Sequence, residues 1–124
     1  MYPSKRVYDY GGEQPAVLAD RLWPRGISKV RLAGVVWCKE ITPSTALRQW
    51  FHQDQEARYD AFCQQYRQEL AQPQVQAALA ALRRQAAAQG QLWLLTAAKD
   101  IDHSHIPILQ AVLAQTPPNS SPKP

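Results

Sequence analysis

The sequence predicts an α/β fold: a small single-domain layered sheet with a central covered strand and helices packed on it. Three observations carry this. Residues 92–96, Leu-Trp-Leu-Leu-Thr, form a short and almost wholly apolar run between Gly90 and a charged loop, as a strand covered on both faces does. Apolar residues between positions 47 and 86 recur at spacings of three and four, the helical pattern. The order is strand-like segments, then helices, then this strand and a last helix, which argues for a layered fold and not a bundle.

Each element has its own reason. Residues 5–10 read as a strand broken by Gly11-Gly12. Residues 15–23 resume an extended pattern, with Val17, Ala19 and Arg21 on one side and Ala16, Leu18, Asp20 and Leu22 on the other. Pro24 should end that strand, because the residue before a proline is held out of helical geometry. Residues 25–29 are then a loop, and residues 35–41 a third strand. Thr42 as cap and Pro43 at the first helical position predict a helix that buries Leu47, Trp50 and Phe51. Asp54 caps the next helix, which carries Tyr59, Phe62, Cys63, Tyr66 and Leu70 on its stripe. A third helix starts at Gln72-Pro73, buries Val75, Ala78, Leu79, Leu82 and Ala86, and stops at Gly90 in the manner of a glycine C-cap. After the central strand, Ile106, Leu109, Val112 and Leu113 mark a last amphipathic helix. Residues 1–115 are expected to form one domain. Residues 116–124, rich in Pro, Ser and Asn, are expected to be a disordered tail.

Composition narrows the function. The chain has 124 residues, of which 45% are hydrophobic, enough for one core without staples. No segment approaches the roughly 18 uncharged apolar residues of a membrane span. The N-terminus leads into a strand pattern and not an apolar signal segment, so a cytoplasmic home is expected. Cys38 and Cys63 lack the spacing of a redox or zinc motif and read as small core residues. The net charge is +4, and all of the excess lies in residues 1–39, which hold seven basic and three acidic side chains. A field of that sign attracts phosphates, nucleotides, nucleic acid or carboxylates. A solvated basic face with no partner is the plain alternative.

Two segments could carry chemistry. In Asp20-Arg21-Leu22-Trp23-Pro24-Arg25-Gly26, two arginines flank a rigid Trp-Pro step. Arginine presents donors that match carboxylate or phosphate, and Gly26 lets backbone approach a ligand. The competing reading pairs Arg21 with an internal carboxylate and packs Trp23 in the core. The second segment, residues 97–103, follows the most buried strand and offers Lys99, Asp100 and His103. Ligands of open α/β sheets bind at the carboxyl ends of strands, and a lysine, a carboxylate and an imidazole can hold an anion or move a proton. Ordinary loop polarity, with Asp102 or Ser104 as a cap, is the alternative. No metal is expected: His103 and His105 are two apart, which share no helical face, and no second cluster completes a site.

These segments, with Arg6-Val7-Tyr8-Asp9, Trp37-Cys38-Lys39-Glu40-Ile41-Thr42-Pro43-Ser44 and Leu47-Arg48-Gln49-Trp50-Phe51, resemble the YeaO-like family of bacterial proteins, domain of unknown function 488. The resemblance runs from about Lys5 to Leu113. It implies a compact α/β domain and a set of signature positions, and no established activity. This chain has Cys38 where the family usually has a longer aliphatic residue, which supports a core role for that thiol. It has Ser104 where asparagine is usual, and His105 lies outside the pattern. The segment before Ala16 is shorter than usual, which predicts a tighter first hairpin.

The signature is mostly polar or cationic, and the segments are expected to converge on one pocket at the carboxyl ends of parallel strands. The leading expectation is a site for a small anionic ligand, a nucleotide or another phosphorylated compound, with turnover possible. Arg21, Arg25, Gly26, Lys39, Arg48 and Lys99 would bind it; His103 or Asp100 would move a proton, or Asp100 would orient His103. No cofactor is expected. The alternatives are a non-catalytic binding module, either a metabolite sensor or a nucleic-acid binder, and a structural salt-bridge network. Nucleic acid is disfavoured because the helices are charge-balanced and the aromatics sit on apolar stripes. Nothing in the sequence fixes an oligomeric state.

Overall fold

A computed structural model describes residues 1–115 of the chain; the expected tail, residues 116–124, lies outside the described residues. Four strands, β1 (Ser4–Arg6), β2 (Ala16–Leu18), β3 (Val36–Trp37) and β4 (Trp93–Thr96), form one sheet in the order β1-β4-β2-β3. Every pairing is parallel, and the expected first hairpin does not form: β1 and β2 do not pair, because β4 lies between them. The strand expected to be central is central: β4 pairs with β1 on one side and β2 on the other, and Leu94, Leu95 and Thr96 are fully buried. Helices α1 (Thr45–His52), α2 (Gln55–Leu70), α3 (Pro73–Gln89) and α4 (Ile106–Ala114) complete the layer.

The alternation along β2 and β4 divides the interior in two. Val17, Ala19 and Leu94 pack with the helices, against Phe62, Tyr66, Leu79 and Leu109. Ala16, Leu18 and Leu95 face the other way, onto Val7, Tyr10, Ile27 and Leu32, with Trp23 and Trp37 beside them. The helices therefore cover one face only. The other is covered by irregular chain from residues 7–10 and the long connection between β2 and β3.

The three early strands are shorter than their sequence patterns predict, because the ladder and not the pattern sets their length. Arg6 is the partner of Thr96, where β4 ends, so β1 has nothing to pair with beyond it and residues 7–9 turn. Asp20 leaves the β2 line to reach the end of β4, and residues 20–23 are irregular where a strand was expected. Trp37 pairs with Leu18, the last residue of β2, and the expected third strand becomes a 3-10 turn at Lys39–Ile41.

The helix boundaries follow local chemistry more closely. Asp54 caps α2 through Ala57 N, Pro73 opens α3, and Gly90 closes it in a left-handed conformation at φ +88°, which glycine adopts without steric cost. One cap is displaced. Ser44, not Thr42, caps α1 by accepting from Leu47 N, while the Thr42 hydroxyl donates back to Lys39 O at 2.6 Å. Glu69 of α2 fixes this cap by accepting from both Ser44 N and Ser44 Oγ. Cys38 is buried and Cys63 packs at the core's edge, both as free thiols.

Candidate functional site

The ends of β2 and β4 emerge at the same edge of the sheet, and an open groove of about 1170 Å³ lies there, between those loops and helices α1 and α2. Asp20 holds its sheet side together. Its Oδ1 accepts from the buried Thr96 hydroxyl at 2.7 Å and its Oδ2 from Ala97 N at 2.6 Å, so one carboxylate ties the exit of β2 to the exit of β4. Arg6, at the end of β1, secures the same loop by donating to Ala98 O and Ala97 O. Trp37 Nε1 donates to Asp20 O, and Trp23 Nε1 to Ile27 O, with the two indoles edge to face at 5.3 Å. Trp23 is half-buried: it packs beside the second core and also lines the groove.

Arg21, Arg25, Arg48, Lys99, Asp100 and His103 all line this groove. Lys39 and Gly26 do not. Lys39 Nζ sits 4.1 Å from the centre of the Trp37 ring, a cation–π contact. Gly26 takes a left-handed φ of +76° in the turn after Arg25, which accounts for the glycine without a ligand. Among the described residues, Arg21 has no carboxylate within 4.0 Å. Its Nε donates to Pro43 O at 2.8 Å and a terminal nitrogen to Thr42 O at 3.3 Å, so it fastens the loop after β2 to the start of α1.

Among the described residues, the side chains of Arg25, Arg48 and Lys99 make no hydrogen bond to protein and have no carboxylate within 4.0 Å. Acidic side chains also line the groove: Asp20, already satisfied, Asp100, and Glu56 and Asp60 one turn apart on α2. Asp100 Oδ2 lies 2.8 Å from His103 Nδ1, and both side chains are largely exposed, about two-thirds and more. Tyr59 stands edge-on to His103 at 5.7 Å and donates to Ser104 O at 2.9 Å; burial and the neighbouring Cys63 raise its hydroxyl well above the ordinary range.

His105 is the residue that the sequence reading discounted. Its Nε2 is bonded to Ala19 O and lies 3.5 Å from Asp20 Oδ1, its ring meets Tyr66 edge-on, and it lines the groove with only 13% of its side chain exposed. Burial and the Arg48 charge lower its basicity, against Asp20 and the Ala19 carbonyl, which raise it; the net shift is down. Burial also raises both thiols, Cys38 to about 11, so neither is an activated nucleophile. Among the described residues, no three of His, Cys, Asp and Glu come together as a metal-ligand set.

A family profile described as "Inactive DUF488-N3 subclade" matches residues 1–122. The chain belongs to this YeaO-like DUF488 family. Within the family, it is 43% identical over 107 residues to the uncharacterized protein YeaO of Escherichia coli (strain K12), covering 85% of this chain and 90% of that one. It is 38% identical over 97 residues to the uncharacterized protein Rv3073c of Mycobacterium tuberculosis (strain ATCC 25618 / H37Rv), covering 78% of each. No solved structure matches the chain.

Proposed function

We propose that the groove binds a small anionic molecule, a nucleotide or another phosphorylated compound, and does not turn it over. One observation carries the reading: Arg25, Arg48 and Lys99 border a single groove, and none is neutralised by a carboxylate within 4.0 Å among the described residues. An oxyanion seated among cations that lack a carboxylate partner would gain charge-assisted hydrogen bonds. Tyr8 and Trp23 offer aromatic surface on the sheet side of the groove for a ring attached to the anion. The absence of turnover accords with the word "inactive" in the family description and with two thiols raised away from reactivity. A cytoplasmic location belongs to the same reading, since free thiols suit a reducing compartment.

A second reading, turnover, is favoured by the hydrogen bond between Asp100 and His103, which fixes the imidazole at the groove as a general base would be fixed. One set of measurements separates the two. Calorimetric titration with phosphate, sulfate and nucleoside monophosphates should give saturable binding that weakens at least tenfold when Arg25, Arg48 and Lys99 are all replaced by glutamine. Incubation with nucleotides and sugar phosphates should release no product. Equal affinity in the triple variant would end the binding reading, and product formation lost in His103→Gln would establish turnover.

A further inference from the structure

His105 has a defined tautomer. A carbonyl oxygen only accepts, so the bond to Ala19 O requires the proton on Nε2, and the nearby Asp20 carboxylate reinforces that choice. Nδ1 is then the open position, and it has no hydrogen-bond partner among the described residues. The groups that face the imidazole are Asp20 at the end of β2, Arg48 on α1 and Tyr66 on α2. Arg48 opposes an imidazolium, Asp20 favours one, and Tyr66 presents its ring while its hydroxyl is engaged by Ile41 O.

Building on the groove reading, we propose that His105 is a proton-linked ligand contact: its Nδ1 takes up a proton as a doubly charged oxyanion seats against Arg48. The anion acts twice. It offsets the Arg48 charge, which adds to burial in disfavouring the imidazolium, and it presents oxygens that an Nδ1–H can donate to. Nε2–H stays on Ala19 O and Asp20 throughout, so the ring needs no flip. The half-buried Asp20 carboxylate then lies on one side of the imidazolium and the ligand on the other, which compensates the charge from both sides. A neutral or singly charged ligand would gain less, so this contact selects for a dianion such as a phosphate monoester.

Sulfate is the clean probe, because it stays doubly charged across the pH range of interest and any proton must come to the protein. Calorimetry of sulfate binding in two buffers of different ionisation heat reads the protons taken up per site. We expect uptake approaching one above about pH 7, with affinity falling about tenfold per pH unit there, the slope of a one-proton linkage. His105→Gln should bind with little uptake and a flat profile, whereas Arg84→Gln, an exposed position on α3 outside the groove, should keep the parent's uptake and profile. Nitrogen chemical shifts of the parent's histidine rings provide a reading that needs no variant: sulfate should move His105 from its Nε2–H form to the imidazolium. Sulfate binding with no proton uptake, or uptake that follows His103, would overturn this inference and leave the groove reading standing. No binding of sulfate or phosphate at all would overturn both.

Discussion

Replacing Asp20 by alanine should loosen the groove from within. The carboxylate accepts from Thr96 Oγ1 and Ala97 N, and Thr96 is fully buried, so its hydroxyl has no ready access to water once the acceptor is gone. A hydrogen bond to a charged group contributes about 1.5–3 kcal/mol, and an orphaned buried donor costs a similar amount. Two such bonds give about 3–6 kcal/mol. Asp20 retains 15% exposure, so water can replace part of the loss at Ala97 N, and about 2–4 kcal/mol is the expected destabilisation. At about 4 °C per kcal/mol for a domain of this size, the melting temperature should fall by about 8–16 °C. Asp20→Asn keeps one acceptor but turns an amide NH2 toward Ala97 N or Thr96 Oγ1, and should lie between the two, at about 1–3 kcal/mol. Urea unfolding of the three proteins checks the order, and amide exchange at Ala97 and Ala98 should rise in the variants. An Asp20→Ala protein within about 0.5 kcal/mol of the parent would show that the carboxylate does not join the two strand ends.

Three further outcomes follow from the same geometry. Leu95→Ala removes a fully buried side chain from the central strand and should cost about 2–5 kcal/mol by denaturant titration; a loss below about 1 kcal/mol would mean that β4 is not the packed centre. Arg21→Ala should lower stability by about 1–2 kcal/mol through loss of the Thr42 and Pro43 carbonyl contacts, yet weaken sulfate binding less than Arg48→Gln; the reverse order in calorimetry would make Arg21 the main anion contact. His105 titrates below its ordinary value of 6.5, so the unfolded chain binds the extra proton first, and this residue's contribution to stability should be complete above about pH 7 and be lost as pH falls through 6.5 toward the folded value. Melting curves between pH 5 and pH 8, about the range in which histidine titrates, should show a smaller acid loss in His105→Gln; an unchanged slope would refute that assignment.

The parts of this structure that were legible in the sequence are those with a local cause. Residues 92–96 announce a central strand because both faces are apolar, and Asp54, Pro73 and Gly90 mark helix ends through chemistry confined to one turn. Strand ends were not legible, since β1 and β3 stop where a neighbour distant in sequence stops. At the groove, Arg21, Arg25, Arg48, Lys99, Asp100 and His103 were placed together by the rule that parallel strands bring their carboxyl ends to one edge. Lys39 was misplaced because the early turn after β3 carries it to Trp37. Asp20 was read only as part of the strand pattern and of the arginine-bearing segment, because its partners lie 76 and 77 residues away. His105 was set aside by the correct rule that histidines two apart share no helical face. The chain there is a turn followed by extended Ser104, which leaves His103 exposed and carries His105 inward before α4 begins. A histidine directly before the strongly apolar Ile106–Ala114 stretch was the available signal.

The central claim is that the unpaired cations of the groove hold an oxyanion. Titrating isotope-labelled protein with sulfate and following the backbone amides tests it most directly. The account predicts saturable shifts concentrated at residues 20–25, around Arg48 and at residues 97–105, all lost when Arg25, Arg48 and Lys99 are replaced by glutamine. Shifts that grow linearly without saturation, or that spread evenly over the lysines and arginines of the surface, would contradict it.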